Sequence, residues 1–326
     1  MTPRAIRILR GRDGAEIIRL PLNALKRWGA PYLALMRTDL QSALLERAAA
    51  EPKIKLALGM EAAGCSDKET TVSLGLKRGA IMLAERGDAL IGADGLKSAV
   101  RERLGLGGRD AARFSGRVAF RAALAAKDAP AWAVEPDVCL RLGAKAHLVH
   151  YPVAGGGLIN LVAVIEAGWR DRPGEDPWDG EADRAALHAA FADWSKDAKA
   201  LIAAPFEWRA WPLRQRPPLA DIARGRIALL GDAAHPMLPF LAQGAGQAIE
   251  DADALAEYLA KTEDVAKALA AYSRRRASRV ARVQQESEAQ ARLYHMAEPL
   301  ALARDLGMRA LGPERLLRRY DWIYGG

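Results

Sequence analysis

GRIALLGDAAHPMLPFLAQGAGQAIEDADAL, residues 225–255, is the stretch on which the fold turns. Its opening run RIALLGD, 226–232, is short, apolar and bounded by turn residues, which predicts a buried strand delivering Asp232 at its carboxyl end. Ligands of open α/β sheets bind outside the carboxyl ends of strands. A loop containing Pro239 follows, and then a helix beginning near Gly244. The first N–H groups of a helix have no partner within it and carry the positive end of its dipole, so they favour negative charge. Gly244 and Gly246 let a flat ligand approach the backbone closely.

The same logic recurs upstream. GDALIGADGLKSAVRERL, 87–104, reads as an apolar strand with Asp94 at its end, Gly95 in a tight turn, and a helix or turn carrying Ser98 and Arg101. YLALMRTDLQSALLERA, 32–48, sets Arg37 between a short apolar strand and a helix. Thr38 and Asp39 are its N-cap candidates, and Leu40, Leu44 and Leu45 follow at helical spacing. Nearer the start, IRILR and EIIRL flank GRDG and predict a hairpin over 4–20. Residues 53–58 and 70–76 read as short strands.

Residues 114–165 change character. FSGRVAFRAAL, VCLRLG, AHLVHYPV and LINLVAVI are strands divided by Gly and Pro, which predicts a separate, mostly antiparallel sheet. Residues 181–203 are Ala-rich and helical, 206–213 are extended, and helix dominates from 265 to about 310. The architecture expected is α/β. An incomplete Rossmann-like segment, 1–110 with 206–265, is interrupted by a sheet-and-helix insertion at 111–205 and followed by a helical tail at 266–326.

Composition bounds the function. The 326 residues are 50% hydrophobic and 27% charged, ordinary for a globular chain of one or two domains. No apolar run reaches the roughly 18 residues of a membrane span, and the arginine-bearing start lacks the apolar core of a secretory signal. Cys65 and Cys139 have no metal-like spacing and suit a reducing cytoplasm. The net charge of +8 reads first as a basic, arginine-rich surface, and as a functional alternative it would attract anions such as cofactor phosphates or an acidic substrate. No nucleic-acid motif accompanies it, and the Arg274–Arg276 cluster lies in a helical pattern as a solvated face.

The three stretches, in this order and spacing, resemble the group A flavoprotein monooxygenases, the family of salicylate and hydroxybenzoate hydroxylases. The resemblance runs from about residue 4 to the WIYGG end and includes HLVHYPVAGGGLINLVAV at 147–164 and YHMAEPLALARDLGMRALGPERLLRRYDWIY at 294–324. It implies FAD as cofactor and assigns roles. Arg37 stands beside the helix that supports the flavin. Asp94 and Gly95 lie near the FAD pyrophosphate and affect NAD(P)H use. Asp232 bonds ribityl or ribose hydroxyls. Pro239, Gln243, Gly244, Ala245 and Gly246 sit next to the isoalloxazine ring. The implied reaction reduces FAD with NAD(P)H, forms a flavin hydroperoxide with O₂, and hydroxylates an electron-rich aromatic ring, without a metal. A phenol needs partners for its hydroxyl. His147 and Tyr151, four apart on one strand face, and Gln243 are the candidates. The plainer reading makes both ordinary sheet residues. His235 reads as structural or flavin-adjacent, His188 and His295 as plain helical positions, and Trp169, Trp208 and Trp211 as core before pocket.

The family opens with a strand–GxGxxG–helix unit that cradles the ADP half of FAD, and no such fingerprint occurs in these 326 residues. GRDG at 11–14 has no flanking strand and helix of the right kind, and the glycines at 105–108 follow a helix. The expectation is therefore a chain short at its N-terminus by a misplaced start, a truncated gene or a separate polypeptide. Its strands near 88–93 and 227–231 would lack neighbours, and its FAD binding would be weak. Two alternatives stand beside hydroxylation: another flavoprotein oxidoreductase of the same fold, and a truncated, non-catalytic binding protein. A homodimer through the C-terminal helices is a further expectation.

Overall fold

In the computed structural model the described residues are 1–68, 70–106, 112–171, 180–181 and 183–325. Of the glycine-rich stretch 105–108, Gly107 and Gly108 lie outside them, as does the final Gly326. The chain opens with β1 (Ala5–Arg10), β2 (Glu16–Pro21), α1 (Ala24–Trp28) and α2 (Arg37–Ala49). Next come β3 (Glu61–Asp67), β4 (Val72–Arg78), β5 (Ile81–Gly87), β6 (Leu90–Gly92) and α3 (Ala99–Leu104). The long strands are β7 (Arg113–Ala125), β8 (Val138–Gly143), β9 (Ala146–Val153) and β10 (Leu158–Glu166). They are followed by β11 (Gly180–Glu181), α4 (Arg184–Ala190), α5 (Lys196–Ala203), β12 (Arg209–Gln215), β13 (Ala223–Arg224) and β14 (Ile227–Leu229). The chain ends in α6 (Gly244–Ala260), α7 (Val265–Tyr294), α8 (Leu300–Arg318) and α9 (Asp321–Tyr324).

These elements form two units. The first comprises Met1–Ile54, Gly116–Leu213 and Arg292–Gly326. Its eight-stranded sheet runs β11-β12-β7-β10-β9-β8-β1-β2. The pairs β7–β10, β10–β9, β9–β8 and β1–β2 are antiparallel, whereas β1 and β8 are parallel. The hairpin over 4–20 therefore forms as expected, but it extends the large sheet instead of belonging with a 1–110 segment. The reason is its apolar alternation: Ile8 and Ile18 join Leu140 and Leu142 in one core with Met308, Leu316 and Leu317 of α8. Packing requires glycine at positions 11 and 143. A Cβ at Gly11 would lie 2.5 Å from the Trp194 ring, and one at Gly143 would lie 2.4 Å from it.

The second unit comprises Lys55–Ser115 and Arg214–Ala291. It holds an antiparallel meander, β3-β4-β5, and a small sheet ordered β13-β14-β6. In the latter β14 and β6 pair in parallel, with Ile227, Ala228 and Leu229 opposite Leu90, Ile91 and Gly92. The two strands that were expected to lack neighbours thus have each other, and β6 forms the sheet's edge. Their core gathers Val100, Leu104, Ile222, Leu255, Leu269 and Tyr272. Gly92 allows α3 to pack tightly, since an added Cβ would meet Val100 at 2.7 Å.

Three local readings need correction. Residues 53–58 form no strand; their alternation leaves Ile54, Leu56 and Leu58 48%, 47% and 81% exposed, so no packing face fixes them. The strand expected at 70–76 forms as β4, while β3 and β5 were not anticipated. Finally, α2 starts at Arg37 with Met36 as N-cap and no side-chain cap. Asp39 falls in its first turn, where a carboxylate complements the helix dipole.

Candidate functional site

Of the predicted cofactor residues, Asp94, Gly95, Asp232, Pro239 and Gly244 to Gly246 lie in the second unit, whereas Arg37 lies in the first. β14 hands the chain to a single helical turn, Gly231–Ala233, which carries Asp232 exposed at its tip. Gly231 has φ +60, a left-handed conformation that glycine adopts without steric cost. A second single turn, Pro239–Leu241, has Pro239 at its start, and Ala242 (φ 53) swings the backbone into α6. No side chain caps α6 and no acidic residue occupies its first turn, so its leading N–H groups are not spent on a carboxylate of their own helix. A Cβ on Gly244 would lie 4.0 Å from Asp232 Oδ1, which places the carboxylate beside the helix start. An exposed carboxylate, an uncapped helix start and bare glycines fit a polyol phosphate with a flat ring.

Asp94 is exposed, and its Oδ2 accepts from the Val100 N–H at 3.2 Å, while Ser98 Oγ accepts from the Arg101 N–H at 2.9 Å. Part of the work of Asp94 is thus to start α3. Gly95 (φ +75) has no heavy atom within 4 Å of an added Cβ, so its face is open. Gln243 is buried at 8% exposure, and its Oε1 accepts from Gln247 Nε2 at 3.2 Å. Beneath the loop lies a polar network that sequence reading did not anticipate. His235 Nε2 is 2.5 Å from Asp251 Oδ2, the Gly231 N–H donates to the same oxygen at 3.0 Å, and Arg276 Nε donates to Asp251 Oδ1 at 2.7 Å.

In the first unit the predicted substrate residues separate. His147 and Tyr151 share one face of β9, but His147 is 4% exposed and its Nδ1 is 2.9 Å from His295 Nε2. Burial, then the neighbouring His295 and Arg117, hold His147 well below its ordinary pKa. His295 in turn reaches Glu166 at 3.3 Å and is no plain helical position. Tyr151 is half-buried with a raised pKa, chiefly from burial, opposed by Arg121. Register aligns Arg121 with Val162, and Val162 with Val149, so Arg121 and Tyr151 lie on the same face two strands apart. The Arg121 guanidinium sits 4.9 Å from the Trp211 ring centre. Burial pulls its pKa down, Tyr151 opposes this, and Arg37 adds to it. Tyr32 is near enough to Tyr151 for the two to interact electrostatically. Arg37, Tyr32, Arg121, Tyr151 and Trp211 therefore form one group. Trp208 is core, donating to the Ile202 carbonyl at 3.2 Å.

Arg121 was missed because only the pairing of β7 with β10 and β9 reveals its face. Arg276, read with Arg274 and Arg275 as a solvated face, is instead 4% exposed and paired with Asp251, a partner 25 positions away on another helix that leaves no sequence signature. A cavity of 240 Å³ between Arg10, Trp194, Arg304 and Asp305 contains none of the predicted residues. Within its lining Arg10 and Arg304 both bond Asp305. Among the described residues no group of three His, Cys, Asp or Glu could hold a metal ion, and no helix is long and apolar enough to cross a membrane.

The family model "FAD binding domain" matches residues 16–287. The 3-hydroxybenzoate 6-hydroxylase of Polaromonas naphthalenivorans is 34% identical over 316 residues, which are 96% of this chain and 76% of that enzyme. The 3-amino-4-hydroxybenzoate 2-monooxygenase PtnB3 of Streptomyces platensis is 36% identical over 327 residues, covering 98% of this chain and 78% of that enzyme. The crystal structure of Klebsiella pneumoniae HpxO with FAD and uric acid superposes with a TM-score of 0.83 at 25% identity, over 97% of this chain and 79% of that one. With Asp232 set against an uncapped, glycine-bearing helix start, the chain belongs to the FAD-binding-domain family, among the group A flavin-dependent aromatic monooxygenases.

Proposed function

We propose that this protein hydroxylates a phenolic aromatic acid, using FAD, NAD(P)H and O₂. One oxygen atom of O₂ enters the ring and the other leaves as water, with two electrons from NAD(P)H. When bound, FAD supplies hydride acceptance and oxygen activation. The chain's own residues bind and orient. Asp232 accepts hydroxyl hydrogens of the cofactor's polyol chain, and the N-terminus of α6, from Gly244 to Gly246, stabilises negative charge on the ring edge. Gly95 leaves room for the pyrophosphate. Tyr151 offers a hydroxyl to the substrate, and its raised pKa keeps it a donor at neutral pH.

Arg121 is the observation that carries the acid specificity. Among the described residues it forms no ion pair, it stacks on Trp211, and Arg37 repels it. Burial and Arg37 both disfavour its charge, and a substrate carboxylate would offset both. The relatives named above act, by name, on hydroxybenzoates, which carry such a carboxylate. His147, bonded to His295 and buried, supports the sheet.

The test is to add FAD to the purified chain, remove free cofactor, and follow NAD(P)H oxidation and ring products with a panel of hydroxybenzoates and their decarboxylated phenols. Acid-stimulated oxidation with a hydroxylated product supports the reading. Oxidation without hydroxylated product favours another flavoprotein oxidoreductase of this fold. A chain that binds neither FAD nor acids overturns it.

A further inference from the structure

The loop that carries Asp232 is held from beneath by one buried carboxylate. Asp251 lies inside α6 with 0% exposure. Its Oδ2 takes two donors from the loop, the backbone N–H of Gly231 and the ring of His235, which lie immediately before and three residues after Asp232. Its Oδ1 takes Arg276 of α7, whose Nη2 also donates to the Gln247 carbonyl at 3.2 Å and to Gln247 Oε1 at 2.9 Å. Glu250 balances the charge, bonding Arg276 at 2.7 Å and Arg279 at 2.7 Å. Burial would push the Asp251 carboxyl up, but hydrogen bonds from His235, Gly231 and Arg276 hold it below the usual carboxylate range. A carboxylate only accepts, so His235 Nε2 must carry the proton that faces it. Among the described residues His235 Nδ1 is buried without a partner, so the ring is held through Nε2.

We infer that His235, Asp251 and Arg276 are positioning residues that clamp the Gly231–His235 turn at both ends and thereby set Asp232 against the start of α6. This rests on the reading of Asp232 as a cofactor ligand. The clamp depends on a donor at the Nε2 position of residue 235, not on the bulk of the ring. Glutamine places its amide nitrogen near that position, whereas asparagine reaches only as far as Nδ1.

The experiment compares the chain with its H235Q, H235N and D251N variants, all without cofactor, by deuterium uptake of the peptide spanning 229–238. The Ala234 and His235 amides in that peptide both donate to the Gly231 carbonyl and report the turn directly. Uptake in H235Q should stay within about twofold of the parent, while H235N and D251N should exchange roughly tenfold faster, as expected when a charge-assisted hydrogen bond is lost. Equal behaviour of the glutamine and asparagine variants, including loss of folding in both, overturns the clamp. That pair decides the matter even if D251N does not fold. FAD titration by flavin fluorescence, with D232A as reference, separates the two readings. If D232A binds FAD as the parent does, the ligand role of Asp232 falls while the exchange data still judge the clamp. If D232A weakens FAD, H235N should weaken it at least several-fold and H235Q should not; a loss shared by both, or by neither, counts against the clamp.

Discussion

Arg121 and the buried histidines show how single side chains declare a function or a liability. A charge-assisted pair to a carboxylate contributes about 1.5–3 kcal/mol, so Arg121→Gln should raise KM for an aromatic acid about 10- to 100-fold. It should leave the KM of the matching phenol within about twofold, because the phenol has no carboxylate to lose. Steady-state kinetics on the two substrates checks this, and a parallel loss on both would remove Arg121 from the acid site. His147 and His150 are held well below 6.5 and His295 to about 4, with burial the largest cause in each. The folded chain keeps them unprotonated, whereas the unfolded chain takes up protons below about 6.5. Their contribution is therefore complete above that pH and is lost as pH falls toward 4. Urea midpoints should drop between about pH 6.5 and 4.5, and His295→Gln should flatten that slope; the same slope in both would refute the assignment.

Elements are anchored by contacts that sequence shows unevenly. Gly92→Ala would drive a methyl to 2.7 Å from Val100 and 3.0 Å from Leu229, wedging α3 from β6. It should cost about 1–3 kcal/mol, read as a lower melting temperature. The strand–Asp–loop–helix run at 225–255 and the four strands between 114 and 165 were legible, because their apolar runs are long and punctuated by Gly and Pro. The segment 53–58 misled because alternation alone predicts a strand only where a face is buried. The parallel pairing of β1 with β8 was illegible, since more than a hundred residues separate the two strands. For the site, Asp232 and Gly244 could be placed from sequence because strand end and helix start are adjacent in the chain. Arg121, Trp211 and Tyr32 could not, because strand register and chain return bring them to Tyr151. His147 was legible as a face-sharing partner of Tyr151, but its bond to His295 spans 148 positions.

The molecule as a whole carries +8, and this bears on encounter with an acid more than on its grip. Raising salt from about 0.02 to 0.3 M shortens the screening length several-fold, so kcat/KM for an aromatic acid should fall while kcat holds. Stopped-flow or initial-rate assays across that range check it, and a salt-independent kcat/KM would show that steering is negligible. The other molecule-wide property is the order in which the first unit becomes available. It is stitched from three stretches of chain, and Ile8 shares a core with Leu317. At about 5–20 residues per second of synthesis, the first strand emerges on the order of fifteen seconds to a minute before the helix that covers it. During that interval a nascent β1–β2 hairpin presents its apolar side to the cell. That face stays open to solvent and to other chains until α8 has been made, so this half of the protein closes late in its own synthesis.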